Sequence, residues 1–69
     1  MMKEIYIIKL RNRRNMRVCY FKSACRNGRG FNATYFDSDA KYLNFKELEM
    51  ALNYLSKEKE YYDISVITL

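Results

Sequence analysis

At 69 residues and 49% hydrophobic, with seven tyrosines and four phenylalanines, the chain is long enough for one small folded domain (1–69) and too apolar to be disordered. Its net charge of +5 is unevenly placed: residues 1–30 hold nine lysines and arginines against one acid, and residues 31–69 hold four against seven. The longest apolar run, around Ile5 to Ile8, is far short of the ~20 residues of a membrane span, and the opening Met1-Met2-Lys3-Glu4 leads into no signal-peptide core, which predicts a cytoplasmic protein without a membrane partner.

Residues 4–10 and 16–22 are rich in β-branched and aromatic side chains and flank the polar run Arg11-Asn12-Arg13-Arg14-Asn15. This pattern predicts a hairpin with a five-residue loop. Asn27-Gly28 is a strong short turn signal and leads to a third strand over residues 31–36. Asn44 and Glu47 stand at capping-box spacing, and Leu43 and Leu48 at that of a hydrophobic staple. Leu48, Ala51, Leu52 and Leu55 then recur on one helical face, with Phe45 on the same side. Residues 63–69 read as a last strand.

The fold class is therefore α+β in the order β-β-β-α-β, a single four-stranded, mostly antiparallel sheet of order 3-2-1-4 with one helix on one face. A meander followed by a returning helix predicts a last strand parallel to the first. If the first loop closes evenly, Leu10 faces Met16, Ile8 faces Val18 and Tyr6 faces Tyr20 on the helix-covered side. The other side then pairs Ile5 with Phe21, Ile7 with Cys19 and Lys9 with Arg17, and the second turn brings Phe36 beside Cys19. A bulge at Gly28 or Gly30 would instead move Phe36 to the core side.

Two predictions about binding follow from that register. Lys9 opposite Arg17 is unfavourable by up to about 1 kcal/mol, so the pair calls for an anion. Lys9, Arg11, Arg13, Arg14 and Arg17 would form one cationic group and Arg26 and Arg29 another, about 25 Å apart along the strands. Arginine is used where lysine would solubilise equally well, which fits bidentate contacts to phosphate or carboxylate. Solvated loop arginines are the plain alternative. Ile5, Ile7, Phe21 and Phe36 would lie on the uncovered side as an apolar interface for a homodimer or another protein. Tyr61-Tyr62 read as packing or rim residues.

Chemistry is not expected. The chain has no histidine, so Cys19 and Cys25 lack the partners of a zinc site, and an intracellular setting argues for reduced thiols. Asp37-Ser38-Asp39 is the one close acidic pair, in a position where Asp and Ser are ordinary turn formers. No Gly-rich phosphate loop or nucleophile motif occurs. The expectation is a protein that is not an enzyme and uses no cofactor or metal.

The stretch Thr34-Tyr35-Phe36-Asp37-Ser38-Asp39-Ala40-Lys41-Tyr42-Leu43, followed by a capped helix and a short strand, resembles a broad class of small phage and prophage accessory proteins. Those often carry a hairpin, a Thr-x-Asp-x-x-x-Ala-x-x-aromatic link, a helix and a strand. Here Thr34 to Asp37 is one residue longer, and Leu43 stands at the aromatic position. The resemblance implies a protein that binds and disables host machinery, as anti-CRISPR inhibitors of defence complexes do, and it carries over no active site. Many such inhibitors are acidic, whereas this chain is basic. Three readings follow: a phage-encoded inhibitor of a nucleic-acid-handling host complex, a direct DNA- or RNA-binding regulator, and a small assembly protein acting through self-association.

Overall fold

The computed structural model describes residues 4–26 and 28–69. The elements are β1 (Tyr6–Asn12), β2 (Val18–Ala24), β3 (Phe31–Thr34), α1 (Phe45–Leu55) and β4 (Tyr62–Thr68). They form one four-stranded sheet of order β3-β2-β1-β4, the predicted α+β architecture. The first two strands each begin two residues later than expected, and β3 stops at Thr34, leaving Tyr35 and Phe36 outside it.

β4 runs antiparallel to β1, not parallel, over seven consecutive pairs from Tyr6↔Thr68 to Asn12↔Tyr62. The link before the helix explains the reversal. It carries the chain back to the start of β1, where the backbone N–H groups of Tyr6 and Leu43 each donate to the other's carbonyl at 2.9 Å. The helix thus sets out from the end where β1 begins. The chain reaches the far end at Tyr61, whose carbonyl accepts from Arg13 N–H at 2.9 Å, and β4 must then descend.

That link also passes through the sheet. The β1–β2 ladder contains only Lys9↔Tyr20, Leu10↔Cys19 and Arg11↔Val18. Beyond it the strands part, and the gap is filled by the link itself: Lys41 N–H donates to the Phe21 carbonyl at 3.0 Å while Leu43 bridges to Tyr6. Just upstream, the Thr34 hydroxyl donates to Asp39 at 3.3 Å, and Thr34 pairs with Tyr20 on the side away from the helix. Entering from that side and leaving on the other, the chain buries Leu43 to 4% exposure in the core.

The first hairpin closes in a different register from the even one. Leu10 faces Cys19, not Met16, a shift of three residues; an odd shift exchanges the two faces of one strand relative to its partner. Phe21 accordingly joins the helix-side core at 5% exposure, and Tyr20 turns to the opposite side beside Lys9. Asn12 is the local cause. Its side-chain oxygen accepts from the backbone N–H of Arg14 at 2.8 Å and of Asn15 at 3.3 Å, an Asx-type turn that places the reversal after Asn12. The Asn15 side chain accepts from Arg17 N–H at 2.9 Å. Met16 completes the turn in the left-handed region, φ 63°.

The helix starts as its sequence predicts. Glu47 N–H donates to the Asn44 side chain at 2.8 Å, and Asn44 N–H donates back to Glu47 at 3.0 Å, a reciprocal cap of two otherwise orphaned donors. Leu48, Ala51 and Leu55 are buried against Ile8, Leu10, Phe21 and Leu43, with Leu52 partly buried at the margin. Phe45 stays exposed, its ring edge-on to Tyr6 at 6.5 Å.

β2 and β3 are irregular. An extra residue at Lys22 interrupts their pairing between Phe21 and Ser23, which increases local twist. The two-residue turn expected at Asn27-Gly28 falls partly on Asn27, outside the described residues; the strands close at Ala24↔Phe31, so the connection spans residues 25–30. Gly28 and Gly30 both have positive φ, 73° and 69°, which glycine adopts without steric cost. The turn is pinned from across the molecule: the Tyr54 hydroxyl donates to the Gly30 carbonyl at 2.6 Å, and the Lys57 ammonium donates to the Gly28 carbonyl. The Phe31 ring packs on Phe21 at 6.4 Å and on Tyr62 at 5.5 Å.

Candidate anion-binding surface

Because β4 lies antiparallel to β1, Asp63 stands directly across from Arg11. Arg11 donates to one Asp63 oxygen at 3.0 Å, and Arg13, from the adjoining turn, donates to the other at 2.9 Å. The hydrogen bond from Arg11, reinforced by Arg13 and opposed by partial burial, holds the Asp63 carboxyl below its ordinary range. All three side chains are roughly half exposed, so the pairing is of the weakly stabilising surface kind. Glu58 and Glu60 line, with Arg13 and Arg14, a groove of about 500 Å³. The basic and acidic halves of the sequence therefore meet at the hairpin tip.

Four of the seven predicted cations remain as candidates for an outside partner. Arg14, Arg17 and Arg26 are exposed, and among the described residues no carboxylate pairs with them. Lys9 is half-buried between Tyr20 and Ser65. The predicted Lys9–Arg17 repulsion does not arise, since Lys9 faces Tyr20 and the uncharged Asn12 lies opposite Arg17, its backbone N–H donating to the Arg17 carbonyl at 2.8 Å. Arg29 is exposed in the second turn. That turn follows the other end of β2. It is docked on Tyr54 and Lys57, a few residues before Tyr61 and Asp63, which hold the first turn.

Between the two turns lies a cleft of about 400 Å³ whose walls include Asn15, Arg17, Phe31, Tyr35, Glu58 and Tyr62. Its Arg17 guanidinium, Asn15 amide and aromatic surface suit a phosphate and a stacked ring, while the Glu58 carboxylate disfavours an anion on its own side. Tyr62 packs on Phe31, as a packing or rim residue would, while Tyr61 is exposed. Cys19 also lines the cleft, and burial pushes its thiol pKa up, keeping it protonated. Both cysteines are free thiols. Asp37–Asp39 forms a short 3-10 turn in which Asp39 pairs with Lys22 at 3.4 Å as well as with Thr34.

The apolar interface predicted from Ile5, Ile7, Phe21 and Phe36 is dispersed. Phe21 is in the core and Ile7 is only 2% exposed, while Ile5 keeps 39% and Phe36 70% exposure, the latter beyond the end of β3. The odd register shift removes Phe21 from the open side, and the early end of β3 frees Phe36 from it. Sequence reasoning also missed Asp63, whose role depends on the direction of β4. Asn12 carried a legible signal, an Asx residue followed by three polar positions at the reversal. Among the described residues no helix is long and apolar enough to cross a membrane. Compared with known proteins, the chain matches no family model, no curated protein and no solved structure.

Proposed function

We propose that this protein is a non-catalytic binding module that grips an anionic partner through the arginines of its two turns. The observation that carries this reading is that Arg14, Arg17 and Arg26 are exposed and pair with no carboxylate among the described residues, on turns anchored to one short stretch of chain. Guanidinium groups match phosphate in geometry and are more weakly hydrated than ammonium groups. Arg11 and Arg13 form a reserve, because an incoming phosphate competes with Asp63 for them in an exposed pair. In the context implied by the resemblance to phage accessory proteins, the partner is a host nucleic-acid-handling or defence complex that the protein occludes, in the manner of an anti-CRISPR inhibitor.

The runner-up is direct binding of DNA or RNA, favoured by the aromatic walls of the cleft beside Arg17. Fluorescence anisotropy against labelled single- and double-stranded DNA and RNA at two salt concentrations separates the readings. If three arginines meet duplex phosphates, affinity falls about 40-fold between 50 and 200 mM salt. Binding of that kind identifies nucleic acid as the partner. No binding at either salt directs the search to an acidic protein surface, by pull-down from host extract. A combined Arg14, Arg17 and Arg26 to alanine variant that binds its identified target as tightly as the wild type would refute both.

A further inference from the structure

The outer edge of β4 is long and regular, and among the described residues no other strand covers it. Its backbone orientation follows from the ladder with β1. Leu69 N–H donates to the Ile5 carbonyl and Arg13 N–H to the Tyr61 carbonyl, so the odd-numbered residues of this strand bond to β1. The alternation of an antiparallel ladder then aims the N–H and C=O groups of Tyr62, Ile64, Val66 and Thr68 outward. The usual protections of a free edge are missing: β4 contains no lysine, arginine or proline, and its seven pairs with β1 run without a bulge. The opposite edge, β3, has only four residues and an irregular ladder, and its turn is tied down by Tyr54 and Lys57.

We propose that a second copy of this chain pairs antiparallel along β4, joining two four-stranded sheets into one of eight strands. β4 is its own complement under a two-fold axis at Ser65. That axis sets Ile64 against Val66 of the second copy and Tyr62 against Thr68, so all four outward residues pair in the hydrogen-bonded register. Val66, 42% exposed, is covered by the other strand's Ile64. On the reverse side Ser65 meets Ser65 and Asp63 meets Ile67, so no like charges face each other. The single acid on the strand, Asp63, is already engaged by Arg11 and Arg13 of its own chain. This assembly replaces the open-face dimer expected from Ile5, Ile7, Phe21 and Phe36. It is independent of the anion-binding reading.

The test is sedimentation equilibrium of the full chain from low to high micromolar concentration, with Val66→Lys and Val66→Pro as variants. Both act at an outward position: the lysine places a charge on the edge, and the proline removes a donor that β1 does not use. The wild type is expected to reach twice the single-chain mass, and both variants to stay at the single-chain mass with unchanged circular dichroism. Amide exchange at Ile64 and Val66 should slow with wild-type concentration and not do so in Val66→Lys. If Val66→Pro does not fold, Val66→Lys alone decides. A wild type of single-chain mass throughout, or a Val66→Lys variant that doubles its mass like the wild type, overturns the proposal.

Discussion

The turn between β1 and β2 takes its shape from within, by Asn12 and Asn15 accepting from backbone donors two and three residues away, and is only then tied through Arg13 to Tyr61 and Asp63. The turn between β2 and β3 is held from without, by Tyr54 and Lys57, which lie 24 and 29 residues further along the chain. Both carry exposed arginines, yet the first can organise as soon as the hairpin closes, whereas the second takes its shape only once the helix has docked. A basic loop can thus be presented rigidly by local side-chain acceptors or by long-range anchors. In the first case the sequence near the arginines names the groups that hold the turn; in the second it marks a turn and says nothing of its anchors.

The largest effect is expected from opening the core on which β2 packs. Phe21 sits in the core and touches Phe31, so Phe21→Ala is expected to cost about 3–5 kcal/mol by chemical denaturation. A loss below about 1 kcal/mol would place the ring outside the cooperative core. Tyr54→Phe removes only the hydroxyl at Gly30, for an expected loss of about 1–1.5 kcal/mol. Amide exchange should accelerate in residues 25–30 and not at the hairpin tip.

Asn12→Ala is the converse. It deprives Arg14 and Asn15 of their backbone acceptor and should cost about 1 kcal/mol, with faster exchange confined to the first turn. Uniform acceleration in both turns, from either variant, would erase the distinction between them. Met16 occupies left-handed backbone, φ 63°, which asparagine tolerates better. Met16→Asn should raise the unfolding midpoint by the equivalent of under about 1 kcal/mol.

The smallest effect is electrostatic. Asp63 titrates below its ordinary value because Arg11, and then Arg13, hold its charged form. A depressed folded pKa contributes stability that is complete above the ordinary Asp value of about 3.9 and is lost as pH falls through the folded one. Wild type should therefore exceed Asp63→Asn in thermal stability at neutral pH, and the gap should close in strong acid. A gap that widens toward acid would contradict the ion pair.

Much of the element order was legible because its signals are local. The capping box at Asn44 and Glu47 and the apolar spacing of Leu48, Ala51 and Leu55 each act within a few residues, and both appear as read. The site was legible in part. Exposed arginines at two turns could be anticipated, but their grouping could not, because Asp63 is drawn to Arg11 and Arg13 only through the pairing of β4 with β1.

What the sequence determined alone, then, is the β-β-β-α-β order, the start and buried face of the helix, and the confinement of every arginine to residues 11–29. Each depends on propensity, spacing or composition, which a chain carries before it folds. Tertiary structure decided the register of the first hairpin, the burial of Phe21, the direction of β4 and the passage of residues 41–43 between the parted strands. Those depend on which distant backbone donors and apolar faces are satisfied together. One Asx turn at Asn12 moves the β2 register by three residues and so exchanges its faces. One long link returning to Tyr6 reverses the last strand.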